Sequence, residues 1–292
     1  MPVQAIVMPR LREWLAGHAP QRRQGAAAPP GTTPLVSCIM PTCNRPAFVP
    51  QAVHYFLRQD YPAKELVVVD DGDRSIRRLL PRDPRIRYVR LHHRMPLGEK
   101  RNVAVARSRG EIIVHWDDDD WYGPARLSYQ VSALLEAGAA IAALDMQVIY
   151  DVPPDRFWAV SPDLHRQIFS QDLHAGTIAY PKWLWRYFDG FKPLPSAEDF
   201  AFVEVARICG QHVLKLSSAG VYIYIRHGGN TWQFPCGEYI DPRGWTTIEP
   251  PAFMPADDRA FYQRLSAAHA ACAREGARLS APIHHEPLES RR

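Results

Sequence analysis

The 292-residue chain reads as an α/β protein built on a mostly parallel sheet flanked by helices, and three observations carry that reading. Short apolar runs rich in Val and Ile recur through the first half, stretches of helical spacing alternate with them, and each run breaks off at a polar loop. Strands covered on both faces show unbroken apolar runs, and strand–helix alternation is the pattern of a parallel sheet. In such sheets ligands bind beyond the carboxyl ends of the strands, so function is sought in the loops that follow the runs.

The first run, residues 35–40, is a strand stopped by Pro41, and residues 48–58 follow as a helix. Residues 65–69 form a second strand closed by Asp70-Asp71-Gly72, and 86–89 a third, more exposed one. A helix over 99–109 leads through Gly110 into a fourth strand, 112–116, which runs straight into Asp117-Asp118-Asp119-Asp120. A helix over 124–136 and a strand over 140–149 follow. Beyond Asp151 the periodicity weakens and aromatics thicken, which predicts a mixed second half that completes the site. A helix over 200–209, a strand-like stretch over 213–225 and a last helix over 257–274 are expected there. Residues 1–33 read as a flexible arm, in which Leu11, Trp14 and Leu15 give at most a short amphipathic helix, and residues 276–292 as a loose tail.

Composition narrows the function. All but five of the 35 Lys and Arg residues are arginine, and the basic clusters lack the interleaved aromatics of a nucleic-acid platform, so no nucleic-acid partner is expected. Five cysteines, an odd number without a C-x-x-C pair, argue against a disulfide framework or zinc ribbon and fit reduced thiols. No apolar stretch approaches the ~18 residues of a membrane span, and the first twenty residues lack a signal core. A cytoplasmic protein follows, with at most peripheral contact at the inner membrane face.

The acid loop carries the strongest chemistry. Four adjacent carboxylates repel one another at a strand end unless something positive neutralises them, and hard oxygen ligands suit Mg2+ or Mn2+. The alternative is an acidic turn capping the next helix. Asp70-Asp71-Gly72 and Pro41-Thr42-Cys43-Asn44-Arg45 follow neighbouring strands in the same way, and together the three loops form a crevice fit for a nucleotide; singly, each is an ordinary turn. Gly98-Glu99-Lys100-Arg101-Asn102 places a glycine, a helix start and two cations where a phosphate could be met. Arg226-His227-Gly228-Gly229-Asn230 offers an imidazole beside flexible backbone. Glu198-Asp199 opens an apolar helix, either as favourable N-terminal charge or as a general base.

These residues together resemble the family 2 glycosyltransferases with the GT-A fold, over about residues 35–232. The resemblance implies a Rossmann-like nucleotide-sugar half, 34–150, and an acceptor-binding, catalytic half, 151–275. Pro41, Thr42, Asn44, Arg45, Asp70 and Asp71 would line the nucleotide pocket, while Gly98 and Arg101 would face the diphosphate. Within Asp117-Asp118-Asp119 the resemblance gives Asp119 the metal, Asp118 the ribose and Asp117 a supporting role, with His227 closing over the metal. Asp199, beside Glu198, would be the base of an inverting transfer from a nucleotide-diphosphate sugar, UDP favoured, to a hydroxyl of a glycan, lipid-linked or small-molecule acceptor. Trp121, Trp183, Trp185 and Trp232 would stack on sugars or simply pack. No Gln-x-x-Arg-Trp motif occurs, so a single-addition enzyme is expected rather than a processive synthase. The rivals are a nucleotidyltransferase on a similar scaffold and a non-catalytic nucleotide-sugar or glycan-binding protein.

Overall fold

The computed structural model describes residues 33–169, 172–192, 194 and 197–279, with 268–279 as backbone. The predicted arm and the tail beyond 279 lie outside them. Two neighbouring strands, β1 (Val36–Thr42) and β2 (Lys64–Asp70), are each buried along their whole length and pair in parallel from Val36↔Lys64 to Thr42↔Asp70. β1 runs through Pro41 instead of stopping there. Its pairing with β4 (Ile112–His115) ends at Ile39↔His115, so the missing N–H of Pro41 falls beyond that strand and removes no ladder bond.

Seven strands make the main sheet. β3 (Ile86–Arg90) lies outside β2, and on the other side of β4 come β9 (Ala179–Pro181), β6 (Ile141–Leu144) and β10 (Val213–Leu216). β9 alone is antiparallel, inserted between β4 and β6. Strand alternation sends Val36, Cys38 and Met40 to one face, against α1 (Val49–Leu57) and α3 (Arg126–Glu136). Ile39, Val67 and Val69 go to the other, against α2 (Leu97–Arg107), α5 (Lys182–Tyr187) and α6 (Glu198–Ile208). Both faces are therefore covered, as the apolar runs required.

The second half departs from the expectation. The single strand read over 140–149 is two, β6 and then β7 (Val148–Asp151), and the stretch 213–225 is likewise β10 and then β11 (Tyr222–Arg226). β6 and β10 pair in parallel in the main sheet, and β7 and β11 pair in parallel in a second sheet, so the two chains cross together. Asp145 fastens the crossing by accepting from the backbone N–H of Ser218 at 2.8 Å. The second sheet runs β12 (Trp245–Ile248), β8 (Arg156–Val160), β7, β11, β5 (Trp121–Tyr122). α4 (Pro162–Ile168) follows β8, and the final helix α7 (Ala256–Leu279) is tied to β5 by Asp258, which accepts from Trp121 Nε1 at 2.7 Å. The four aspartates thus bridge β4 of one sheet and β5 of the other. Among the described residues no helix is long and apolar enough to cross a membrane, and Cys38, Cys43, Cys209 and Cys236 are free thiols.

Candidate active site

The acid loop is knitted from below. The buried Tyr122 hydroxyl accepts from the Asp117 backbone N–H at 2.8 Å, and Arg126, fully buried, donates to the carbonyls of His115 at 2.9 Å and Thr177 at 3.3 Å. Its guanidinium also packs on the Tyr122 ring, 4.4 Å from the ring centroid. The four aspartates then point to different partners. Asp118 accepts from Thr42 Oγ1 at 2.5 Å and from Arg45 at 2.9 Å. Asp119 meets Arg45 at 2.7 Å, His227 Nε2 at 3.0 Å and Asn230 at 3.5 Å. Asp120 is a buried tie between loop and β11, accepting from Tyr222 OH at 2.7 Å and the Ile225 N–H at 2.9 Å. Burial opposes ionisation of Asp119, yet the His227 hydrogen bond and Arg45 outweigh it and hold its carboxyl below the usual range.

On the donor side, Asn44 adopts a left-handed φ of 54°, which asparagine tolerates, and exchanges hydrogen bonds of 2.7 Å with Asp73. Asp70 and Asp71 behave differently from the expectation that both line the pocket. Asp70 is sealed in, taking Gly72 N–H at 2.8 Å, Tyr88 OH at 2.6 Å and Arg90 at 2.8 Å, so it shapes the loop. Asp71 is buried against Lys100 at 2.9 Å and the Met95 N–H at 3.0 Å; these outweigh its desolvation and hold it below the usual range.

The Gly98–Asn102 segment also differs. Lys100 is engaged by Asp71, and Asn102 by Trp185 Nε1 and the Phe191 backbone. Gly98 packs rather than cradles: a Cβ there would lie 3.0 Å from the Lys192 carbonyl and 3.1 Å from Glu198 Cβ. Arg101 is buried and gathers three carboxylates, Glu198 in a short contact, Asp117 at 3.3 Å and Asp199 at 3.6 Å. One cation among three carboxylates leaves the cluster short of positive charge. Burial, with the neighbouring carboxylates, pushes Asp117 up to about 6 and Glu198 up to about 7 despite Arg101. Asp199 keeps the freer position, bonded to the Phe200 N–H at 2.7 Å and half-buried at the start of α6. That helix follows Ala197, whose φ of 60° turns the chain sharply into the site.

A divalent cation can be tested against this donor set. Asp119 Oδ2 and His227 Nε2 lie 3.0 Å apart, the spacing of adjacent ligands at about 2.1 Å in an octahedral shell. The positive Arg45 guanidinium already sits at the same oxygen. Among the described residues no group of three or more His, Cys, Asp or Glu side chains could hold an ion, and an ion on this pair would have to complete its shell with phosphates and water. Asp117 stands apart from that pair, turned to Arg101.

Of the four tryptophans, Trp121 is buried and Trp183 and Trp185 pack beside the core of α5 and α2, whereas Trp232 stays half-buried near the cleft. Sequence reasoning missed Arg126, Tyr222 and His174, whose ring meets Tyr222 OH through Nδ1 at 3.2 Å.

A family model described as Glycosyl transferase family 2 matches residues 37–191. WcaA of Escherichia coli (strain K12), named for colanic acid biosynthesis as a glycosyl transferase, is 30% identical over 211 residues, 67% of this chain and 74% of WcaA. TarS 1–349 of S. aureus, in complex with UDP-GlcNAc, superposes with a TM-score of 0.53 at 23% identity, over 67% of this chain and 60% of that one. The mannosyltransferase PcManGT from Pyrobaculum calidifontis, in complex with GDP-Man and Mn2+, gives 0.53 at 18% identity, over 94% of this chain and 82% of that one. At those identities the two structures speak for the shared GT-A fold. With more than half of its length matched by the family model and a 30%-identical relative covered over most of its length, the chain belongs to glycosyltransferase family 2.

Proposed function

We propose that the chain moves a sugar from a nucleoside-diphosphate donor, UDP favoured, to an acceptor hydroxyl with inversion. Residues 34–150 would hold the donor and 151–275 the acceptor. The observation that carries the reading is the division of the acid loop, in which Asp118 and Asp119 pair with Arg45 while Asp117 shares the buried Arg101 with Glu198 and Asp199. Pro41, Thr42 and Asn44 would line the nucleotide crevice, with Asp118 at the ribose. Asp119 and His227 would hold Mn2+ or Mg2+, and Arg45 would swing from the carboxylates to the diphosphate. A bound ion supplies neutralisation of the charge that builds on the leaving diphosphate.

In the reaction, Asp199 takes the proton of the acceptor hydroxyl. The oxygen bonds to the anomeric carbon from the face opposite the diphosphate, and the bond from that carbon to the diphosphate oxygen breaks, with its electron pair leaving on the nucleoside diphosphate. Arg101 and Glu198 position Asp199 rather than touch the donor. TarS and PcManGT, bound to UDP-GlcNAc and to GDP-Man with Mn2+, support the donor class. Titration calorimetry with UDP, GDP and their sugar conjugates, each with Mn2+ and again with chelator, tests it. Metal-enhanced binding of one nucleotide is expected; no binding of any would remove the donor site.

A further inference from the structure

The edge of the main sheet beyond β2 carries a charge that neither the fold nor the proposed transfer uses. Between residues 74 and 94 stand eight arginines and one aspartate, a net +7 with His neutral, in a chain whose total is only +4. Without this one segment the chain would be net acidic. β3 is the outermost strand there, and the turn Arg77–Leu79 is laid over it. Ile76 is buried in the core, Ser75 Oγ meets Tyr88 OH at 2.8 Å, and the Arg77 guanidinium lies 5.8 Å from the Tyr88 ring centroid. Three of the arginines have structural tasks: Arg85 pairs with Asp83 at 2.7 Å, Arg90 with Asp70 at 2.8 Å and Arg94 with Asp73 at 3.1 Å. The other five, Arg74, Arg77, Arg78, Arg82 and Arg87, form no ion pair among the described residues, and all but the half-buried Arg87 are exposed. In their midst Leu79 keeps 41% of its surface exposed, although the neighbouring Leu80 packs on the core.

Unpaired guanidiniums crowded on one edge repel one another, and an anionic surface removes that repulsion. The chemistry of the patch says which surface. A nucleic acid asks for rings to stack on its bases, and the segment's one tyrosine is taken, its hydroxyl by Asp70 at 2.6 Å and its face by Arg77. A free phosphate asks for donors converging on one point, whereas these arginines are spread from the loop after β2 through the 3-10 turn to β3. Spread guanidiniums around an exposed leucine suit a plane of anionic head groups, which meets the charges at any spacing and receives the leucine among its acyl chains.

We propose that this edge docks the protein on an anionic lipid surface, with Arg74, Arg77, Arg78 and Arg82 at the phosphate groups and Leu79 inserted between them. The patch adjoins the donor crevice, because Arg94 holds Asp73, which in turn exchanges hydrogen bonds of 2.7 Å with Asn44. Docking keeps that crevice beside the lipid without engaging its residues. The assignment stands whether or not the transferase reading holds.

Co-sedimentation of the full chain with vesicles tests it, using equal parts of phosphatidylglycerol and phosphatidylcholine against phosphatidylcholine alone. Binding is expected to the first and not to the second, and it should weaken as salt rises. Each exposed arginine changed to glutamine should weaken it about fivefold, so the variant combining Arg74→Gln, Arg77→Gln, Arg78→Gln and Arg82→Gln should stay in the supernatant with an unchanged thermal midpoint. Arg107→Gln with Arg186→Gln, exposed arginines outside the patch, should leave binding unchanged. Leu79→Ser should weaken it severalfold even at raised salt, where the charges are screened. The proposal is overturned by no binding to the anionic vesicles, by equal binding of the fourfold variant, or by an equal loss in the control pair. An unaffected Leu79→Ser, or poly(U) RNA bound as tightly as the vesicles, would overturn it too, since the patch would then be a general polyanion surface.

Discussion

Asp117 and Asp119 are two residues apart on one loop and live in opposite electrostatic surroundings. Asp119 is hydrogen-bonded by Arg45 and His227 and is held below the usual carboxyl range, whereas Asp117 shares a single guanidinium with Glu198 and Asp199 and is pushed up to about 6. The difference comes from where the loop sits. Because it bridges the two sheets, one end is placed over the β1 loop with Arg45 and the other over the start of α6. Within one run, Asp119 is the carboxyl its hydrogen-bond partners hold ionised, whereas burial pushes Asp117 up, as it does Asp118 and Asp120. Asp119 suits a diphosphate and its ion, and the Asp117 end suits proton transfer.

The comparison can be broken at several points. Asp199→Asn has the largest expected effect, a loss of transfer of about 10²- to 10⁴-fold in initial rates of nucleoside diphosphate release. Near-full turnover in that variant would end its role as base. Arg101→Leu comes next. Removing the buried cation from three carboxylates should lower stability by about 3–5 kcal/mol in urea unfolding, and adding Glu198→Leu should restore most of it. A loss below about 1 kcal/mol would mean that the cluster is not held by this pair.

The proton-retaining end makes a signed prediction. Glu198 and Asp117 have raised values in the folded chain, about 7 and about 6, against about 4 when unfolded. Between those limits the folded state binds protons that the unfolded state releases, so this contribution is fully present below pH ~4 and is lost as pH rises towards 7. Glu198→Gln should flatten the fall in thermal midpoint over that window; an unchanged slope would contradict the raised value. The smallest effect belongs to Trp185→Phe. Losing its hydrogen bond to Asn102 should lower stability by about 1 kcal/mol and leave turnover unchanged.

Much of the donor side was legible because β1, β2 and β4 announce themselves as apolar runs ending in polar loops, and a parallel sheet brings such loops together. The break at 145–147 was not, since Asp145 and Met146 stay buried as the chain passes between the sheets, whereas that at 217–221 runs through the exposed Ser217 and Ala219 and was signalled only by the small residues Ser217-Ser218-Ala219-Gly220. Arg101 was visible as a cation, but nothing local says that Glu198, 97 residues away, will claim it. His174 was one histidine among 12, and the small residues after it, Ala175 and Gly176, gain meaning only once Asp117 is seen across the gap.

The central claim is the division of labour within the acid loop and its neighbours, and one paired titration addresses it. Nucleotide binding should be measured by calorimetry on Asp119→Asn and Asp199→Asn, each with Mn2+ and with chelator. The division predicts that Asp119→Asn loses the metal-dependent part of the binding while Asp199→Asn keeps it in full. Equal loss in both variants, or loss confined to Asp199→Asn, would contradict it.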